Sequence, residues 1–429
     1  MSERLFITGT GIVCAAGGSP ADVWETIDAG RSAIGPIQAW DGAALTSSTA
    51  GEVTELGARD LVPERKTHKF LRRTDFLGLY AAERAIEEAG LAAYREGLDE
   101  DAEEAFADGT GVYAAAGGAT YQSQYDFFPL LSAARGDMQV FGRDADTEIH
   151  PMWLLRTLPN NVLCHVGIRN NFKGPNACVT NHCVSGALAL TEAKDALRRG
   201  YADRAVVVGH DTPIEPQTVY GYQQLGLLSE GELRPFDATR DGAVLGEGAA
   251  AVVLETESAA TARGADVLAE LLGTACTTEA EGLLGIREDG DGPERAIKAA
   301  LDDAGIEASD VGLVVAHGNG TRRSDASEAA AIGRVFGADM PPVTAFKWAF
   351  GHMLAAAGLA DAVLAALALR HQVAPGIATL REVDAEFADL PVSREPQFPR
   401  SEIALVLSRG FAGTNGVLIL KGGGTEAAA

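Results

Sequence analysis

The chain has 429 residues, 46% of them hydrophobic, with 50 glycines and a formal net charge of −25. That length suffices for one large domain or two fused halves, and the acidic balance argues against general nucleic-acid binding, because phosphates are repelled. Five cysteines (Cys14, Cys164, Cys178, Cys183, Cys276) are too sparse for a disulfide framework and show no paired ligand spacing, and the N-terminus lacks a basic region followed by an apolar signal core; a reduced, cytoplasmic protein is expected.

Leu5 to Val13 reads as a buried strand ending in a glycine turn, followed by a helix over 22–30 that Ser19-Pro20 opens and Gly30 stops. A helix over 76–90 carries Leu77, Tyr80, Ala81, Ala85 and Ile86 on one side, and a strand over 109–116 runs into Gly117-Gly118. Residues 119–159, rich in aromatics, read as an irregular insertion covering a site or an interface. Asn176 to Gly186 leads into a helix with Ala187, Leu188, Leu190, Ala193, Ala196 and Leu197 at helical spacing and Gly200 at its stop. Strands over 204–209 and 249–255 flank a glycine-rich stretch at 234–248.

A second series follows, with a strand over 267–274, a helix over 292–305 and a short strand over 312–316. Asp325-Ala326-Ser327-Glu328 resembles a capping box that opens a helix stopped at Gly337. Then come a strand over 343–346, an apolar helix from Met353, and final strands over 403–407 and 416–420. The apolar run to Leu369 is interrupted by Asp361 and is short for a membrane span, so it predicts a core helix. The alternation predicts α/β layers with buried sheets, and the polar tract over 255–264 divides the chain into halves 1–255 and 256–429 without a visible sequence repeat. There is no P-loop, and neither Gly9-Thr10-Gly11 nor Gly246/Gly248 completes a dinucleotide signature.

Cys183 falls at a helix N-terminus, where unpaired N–H groups and the macrodipole favour a thiolate nucleophile; a buried structural cysteine is the plainer alternative. His317 and His352 sit beside glycines at the ends of strand-like segments, where catalytic side chains are displayed. A thiolate and two neutral imidazoles form a complementary set for acyl chemistry, whereas zinc binding by the three matches no usual motif, so no metal is expected. Arg65, Lys66, Lys69, Arg72 and Arg73 place five cations within nine residues, which is either a solvated surface or a docking patch for an acidic partner.

Seven motifs in order carry a family resemblance: Lys173-Gly174-Pro175-Asn176, Cys183-Val184-Ser185-Gly186, Arg234-Pro235-Phe236-Asp237, Arg240 to Gly248, His317-Gly318-Asn319-Gly320-Thr321, Lys347 with Gly351-His352, and Gly410 to Asn415. Over nearly its whole length the chain resembles a β-ketoacyl-[acyl carrier protein] synthase of the thiolase superfamily. The resemblance implies a thiolase fold of two pseudo-duplicated βαβαβ-type halves in five layers, a homo- or heterodimer, and decarboxylative Claisen condensation with malonyl-[acyl carrier protein]. By the same resemblance Cys183 takes the acyl chain, His317 and His352 hold the malonyl carbonyl, and Lys347 with Glu328 forms a supporting ion pair. The N–H groups of Cys183 and Phe411 would form the oxyanion hole, with Phe411 as gate. Asn319 and Thr321 would contact the pantetheine arm, which arrives on the carrier, so no resident cofactor is expected.

Five positions depart from the family pattern, one of them Asn181, which stands where Thr or Ala is common. His182 stands where a small residue precedes the nucleophile, and would either tune the thiolate or, as the simpler expectation, fill a cleft near the dimer interface. Asn319 replaces a threonine, Arg409 replaces an aromatic residue, and Gly118 replaces a bulky gate at the mouth of the acyl pocket, which it should widen. These departures point to a specialised type II polyketide or fatty-acid-like synthase. An acyltransferase that does not decarboxylate, and a chain-length-factor-like subunit that only shapes a pocket, are the alternatives.

Overall fold

The computed structural model describes residues 3–117 and 122–423. Gly118 and residues 119–121 of the expected insertion lie outside the described residues.

Ten strands form one continuous sheet: β1 (Leu5–Cys14), β2 (Thr110–Ala116), β3 (Asn176–Val179), β4 (Arg204–Asp211), β5 (Gly248–Thr256), β6 (Ala269–Thr278), β7 (Leu313–Val315), β8 (Val343–Thr344), β9 (Ile403–Gly410) and β10 (Thr414–Gly422). Their order is β3-β2-β4-β5-β1-β6-β10-β9-β7-β8. Read outward from the centre, each half repeats one pattern, with two antiparallel pairings followed by two parallel ones. Among the described residues, the sheet strands of the two halves pair through β1 and β6, at Phe6–Glu270 and Ile7–Ala269. The expected pseudo-duplication, which leaves no visible sequence repeat, is therefore explicit in topology. The polar tract between the halves forms the end of β5 and a short helix, Glu257–Ala262.

Six helices complete the layers: α1 (Arg73–Glu88), α2 (Asn161–Asn170), α3 (Ser185–Arg198), α4 (Asp291–Ala304), α5 (Arg322–Phe336) and α6 (Ala357–His371). The first two cover the outer face of the β1–β5 half, and α4 with α5 covers that of the β6–β10 half. Between the halves lie α3 and α6, each touching strands of both. This is the five-layer thiolase arrangement. Of the two central helices, α6 is buried on nearly every side, which explains why it is nearly continuous alanine and leucine. A segment from Leu354 to His371 is long and apolar enough to cross a membrane, but 83% of it is buried inside the protein.

Two expectations from the sequence are corrected. Residues 122–157 are helical rather than irregular, over Gln122–Tyr125, Phe128–Ala134, Met138–Glu148 and Trp153–Thr157. Their aromatic residues pack on one another, as where Phe127 and Trp153 meet at 4.6 Å, so no single core-facing stripe betrayed the helices. The helix expected to open at Asp325 opens at Arg322 instead. Its Asp325 and Glu328 turn inward to bind loops and cap nothing on their own helix.

The central helices approach at glycines. A Cβ on Gly186 would lie 3.0 Å from the Leu359 nitrogen, and one on Gly358 would lie 2.8 Å from Ser408 Oγ and 3.1 Å from the Ala187 nitrogen. A Gly358→Val variant should therefore lose roughly 1–3 kcal/mol by overpacking, read as a lower midpoint in thermal or urea unfolding.

Candidate active site

The nucleophile turn. Residues His182–Val184 make one 3-10 turn between β3 and α3. Ser185 clamps it, its hydroxyl accepting from the Asn181 nitrogen at 2.7 Å and donating to the His182 carbonyl at 2.7 Å. The clamp holds His182 at φ +50°, a backbone conformation unusual for a side chain of this size. The corresponding turn of the other half, Leu354–Ala356 before α6, repeats the positive φ at Leu354 and carries Ala355 where Cys183 would be. Only one half supplies sulfur.

The histidines come from the other half. His317 follows β7, and its turn is anchored by Glu328, whose carboxylate accepts from the backbone nitrogens of His317 at 2.6 Å and Gly318 at 3.0 Å. His352 is held by backbone pairing with the glycine-rich stretch, donating from its nitrogen to the Val244 carbonyl at 2.7 Å and accepting from the Gly246 nitrogen at 3.0 Å. Gly351 has φ +83°, and a Cβ there would meet the Leu245 carbonyl at 2.7 Å, so this turn requires glycine. The two imidazoles stand edge to face, 5.0 Å apart, and His352 Nε2 lies 3.1 Å from Cys183 Sγ.

Burial sets the protonation states. The Cys183 thiol is pushed up to about 12, chiefly by burial and then by the nearby Asp211 carboxylate, with Lys347 pulling weakly the other way. The expected helix-terminus thiolate thus gives way to a neutral thiol. Burial, reinforced by Lys347, holds both His317 and His352 well below the ordinary imidazole value, so both are neutral.

Lys347 and Glu328 are both buried here, but the expected ion pair between them is replaced by another. Lys347 Nζ bonds Asp361 Oδ2 of α6 at 2.5 Å, while Glu328 is occupied by backbone nitrogens. Asp361 is the charge that interrupts the apolar run, which was the available signal for it. Burial lifts its carboxyl above the usual range despite the ammonium beside it.

Phe411 opens the turn between β9 and β10, with its ring 4.6 Å from that of His182. Gly410 brings this turn against the nucleophile turn, where a Cβ would fall 3.2 Å from Val184 Cγ2 and 3.6 Å from the Cys183 nitrogen. Asn319 and Thr321 line the same cavity, of about 70 Å³, and are bonded to each other, Asn319 Oδ1 accepting from the Thr321 hydroxyl at 2.8 Å. Arg409, which replaces an aromatic residue, is buried and fully engaged. It donates to Asn415 Oδ1, the Ser324 carbonyl and Glu279 Oε1, each at 2.8 Å. It ties the gate hairpin to α5 and to the loop after β6.

His182 does more than fill a cleft. Its Nδ1 lies 2.9 Å from Cys183 Sγ, and its Nε2 lies 2.9 Å from the hydroxyl of Tyr222, a residue the sequence did not single out. The basic run, by contrast, does not stay together. Arg65, Lys66 and Lys69 are exposed, Arg72 is buried, and Arg73 pairs with Glu247 and donates to the Val53 carbonyl at 2.6 Å. Among the described residues, no group of three His, Cys, Asp or Glu side chains has the geometry to hold a metal.

An Asp361→Asn variant leaves the buried Lys347 ammonium unpaired and should destabilise the protein by about 3–5 kcal/mol. Glu328→Gln keeps one acceptor for the His317 turn and should cost less in the same unfolding measurement. A larger loss in Glu328→Gln than in Asp361→Asn would contradict the pairing of Lys347 with Asp361.

Known proteins share this architecture. The chain is 32% identical to Nodulation protein E of Rhizobium sp. (strain N33), over 98% of this chain and 100% of that one. It is 33% identical to a putative polyketide beta-ketoacyl synthase 1 of Streptomyces halstedii, over 98% and 99%. Among solved structures, the ishigamide ketosynthase/chain length factor superposes with a TM-score of 0.85 at 29% identity, covering 99% of this chain and 100% of that chain. A type II PKS ketosynthase in complex with its acyl-carrier protein, bound to the hexaketide, gives 0.82 at 26% identity over 98% and 100%. The models of the beta-ketoacyl synthase N-terminal and C-terminal domains match residues 2–260 and 268–381. The chain with Cys183, His317 and His352 in one buried cavity belongs to the β-ketoacyl synthase family.

Proposed function

We propose that this protein is the catalytic ketosynthase of a type II polyketide or fatty-acid-like assembly, extending a carrier-bound acyl chain by two carbons. The observation that carries this reading is the convergence of one thiol from the first half and two neutral imidazoles from the second. The acyl group passes from its carrier to Cys183 Sγ as a thioester. N–H groups of His317 and His352 hold the malonyl thioester carbonyl, and loss of carbon dioxide leaves an enolate whose carbon attacks the acyl-Cys183 carbonyl. Cys183 and Phe411 nitrogens, brought close by Gly410, are the donors for the oxyanion that forms. Neutral imidazoles suit this work, because decarboxylation itself generates the carbanion and no strong base is required.

A solved ketosynthase/chain length factor and a solved ketosynthase in complex with its acyl-carrier protein support a carrier protein as substrate donor and a chain-length factor as partner; we further propose a dimer, with itself or with such a factor, working in the cytoplasm. The presence of Cys183 disfavours a purely pocket-shaping role, and the two histidines disfavour an acyltransferase that does not decarboxylate.

Incubated with acyl- and malonyl-[acyl carrier protein], the protein should gain an acyl mass on Cys183 and release a product two carbons longer. A Cys183→Ala variant that still accumulates the adduct would sink the assignment.

The pH dependence has a definite sign. An imidazole at its ordinary value of about 6.5 would lose roughly three quarters of its neutral form by pH 6. The lowered values of His317 and His352 keep them neutral there. Malonyl decarboxylation should therefore stay within about twofold from pH 7.5 to 6; a fourfold fall would contradict the burial argument.

Carrier docking falls to the exposed part of the basic run. Charge reversal at Lys66 and Lys69 should raise the KM for carrier about fivefold at low salt and little at high salt. An unchanged KM would exclude this surface.

A further inference from the structure

Cys183 Sγ carries one proton and faces two imidazole nitrogens, His182 Nδ1 at 2.9 Å and His352 Nε2 at 3.1 Å. Burial keeps the thiol protonated and draws His182 down to about 4, so sulfur and both rings start neutral. One S–H can donate to only one of the two nitrogens, so at most one ring accepts from sulfur. His352 Nδ1 is buried without a partner. A proton there would be an orphaned donor, costing about 1–3 kcal/mol, and a bare lone pair is the more tolerable state. His352 therefore carries its proton on Nε2 and donates to Sγ. With the S–H given to His182 Nδ1, the His182 proton sits on Nε2, which faces the Tyr222 oxygen at 2.9 Å. Phe411 packs against both rings, 4.6 Å from His182 and 5.6 Å from Tyr222, and walls this end of the chain of hydrogen bonds.

We propose that His182 is the proton acceptor of the acyl-loading half-reaction and that Tyr222 is the positioning residue that fixes its tautomer. As Sγ bonds to the carbonyl carbon of the incoming thioester, the S–H proton moves to His182 Nδ1. When the tetrahedral intermediate collapses, the bond from that carbon to the pantetheine sulfur breaks. The departing sulfur takes the electron pair and then the proton from Nδ1, so His182 ends neutral. Burial disfavours the charged ring, so the proton stays on His182 only for this interval. His352 never accepts in this half-reaction, and its Nε2–H remains ready for the malonyl carbonyl. Loading and decarboxylation thus use different histidines.

This inference rests on the ketosynthase reading, and one experiment separates the two. Loading is followed by intact-protein mass in single turnovers with an acyl-N-acetylcysteamine thioester, and malonyl decarboxylation is measured on the same preparations. His182→Gly suits the positive φ and leaves an imidazole-sized space. It should load about 100-fold more slowly, recover at least about tenfold with added imidazole, and lose less than about threefold in decarboxylation. His182→Asn, which tolerates the same φ but fills the space, should load as slowly without rescue. Tyr222→Phe should slow loading about tenfold in the parent and change nothing further in the His182→Gly background. Unchanged loading in His182→Gly, equal loss of both half-reactions, or failure of imidazole to restore loading each overturns the role of His182. Additive loss in the double variant overturns that of Tyr222. A parent protein that takes no acyl group at all overturns the ketosynthase reading as well.

Discussion

The backbones of α3 and α6 can meet because Gly186 and Gly358 present no Cβ at the crossing. Everything chemical follows from that approach. It brings a turn of the first half, with Cys183, against a turn of the second half, with His352, closely enough for Sγ and Nε2 to stand 3.1 Å apart. Neither half holds a site alone. The two pre-helix turns share their shape, yet the second carries Ala355 in the place of the nucleophile, and His317 and His352 come from its side. Duplication supplied the scaffold and divergence divided the chemistry between the copies.

The second consequence of the crossing is dryness. A helix N-terminus favours an anion by about 0.3–1 kcal/mol, rarely 2, whereas burying a charge costs several. Cys183 is 7% exposed, so desolvation decides and the thiol stays protonated. The same balance keeps His317 and His352 neutral and forces Lys347 to find a buried carboxylate. The site is therefore a set of neutral groups joined by directional hydrogen bonds, and its protons must be handed between neighbours. His182, unusual beside a nucleophile, occupies the one position from which such a transfer to a second imidazole is short.

Around this centre, single side chains do structural work that their residue types concealed. Arg409 in place of an aromatic residue reads as a selectivity element, but its guanidinium is consumed by Glu279, Asn415 and the Ser324 carbonyl. It braces the gate turn. Arg72 and Arg73 read as docking cations, but the start of α1 turns one inward and gives the other to Glu247. Chain proximity does not put five cations on one face when a helix begins among them.

By itself the sequence determined the α/β class, the positions of most strands and helices, and the residues of the central constellation, because local periodicity, glycine turns and ordered motifs are properties of short stretches. The internal duplication was legible only through the family resemblance and not as a repeat of residues, since the two halves share strand order and not side chains. Nor were the partners: Asp361 for Lys347, backbone nitrogens for Glu328, and Tyr222 behind His182 lie between 10 and 40 positions from the groups they serve. Which side chains meet across such separations, and how dry the place is where they meet, depends on the packing of whole layers. The tertiary structure therefore decided the protonation of Cys183, and it changed His182 from a cleft-filling neighbour into a group in contact with the reacting sulfur.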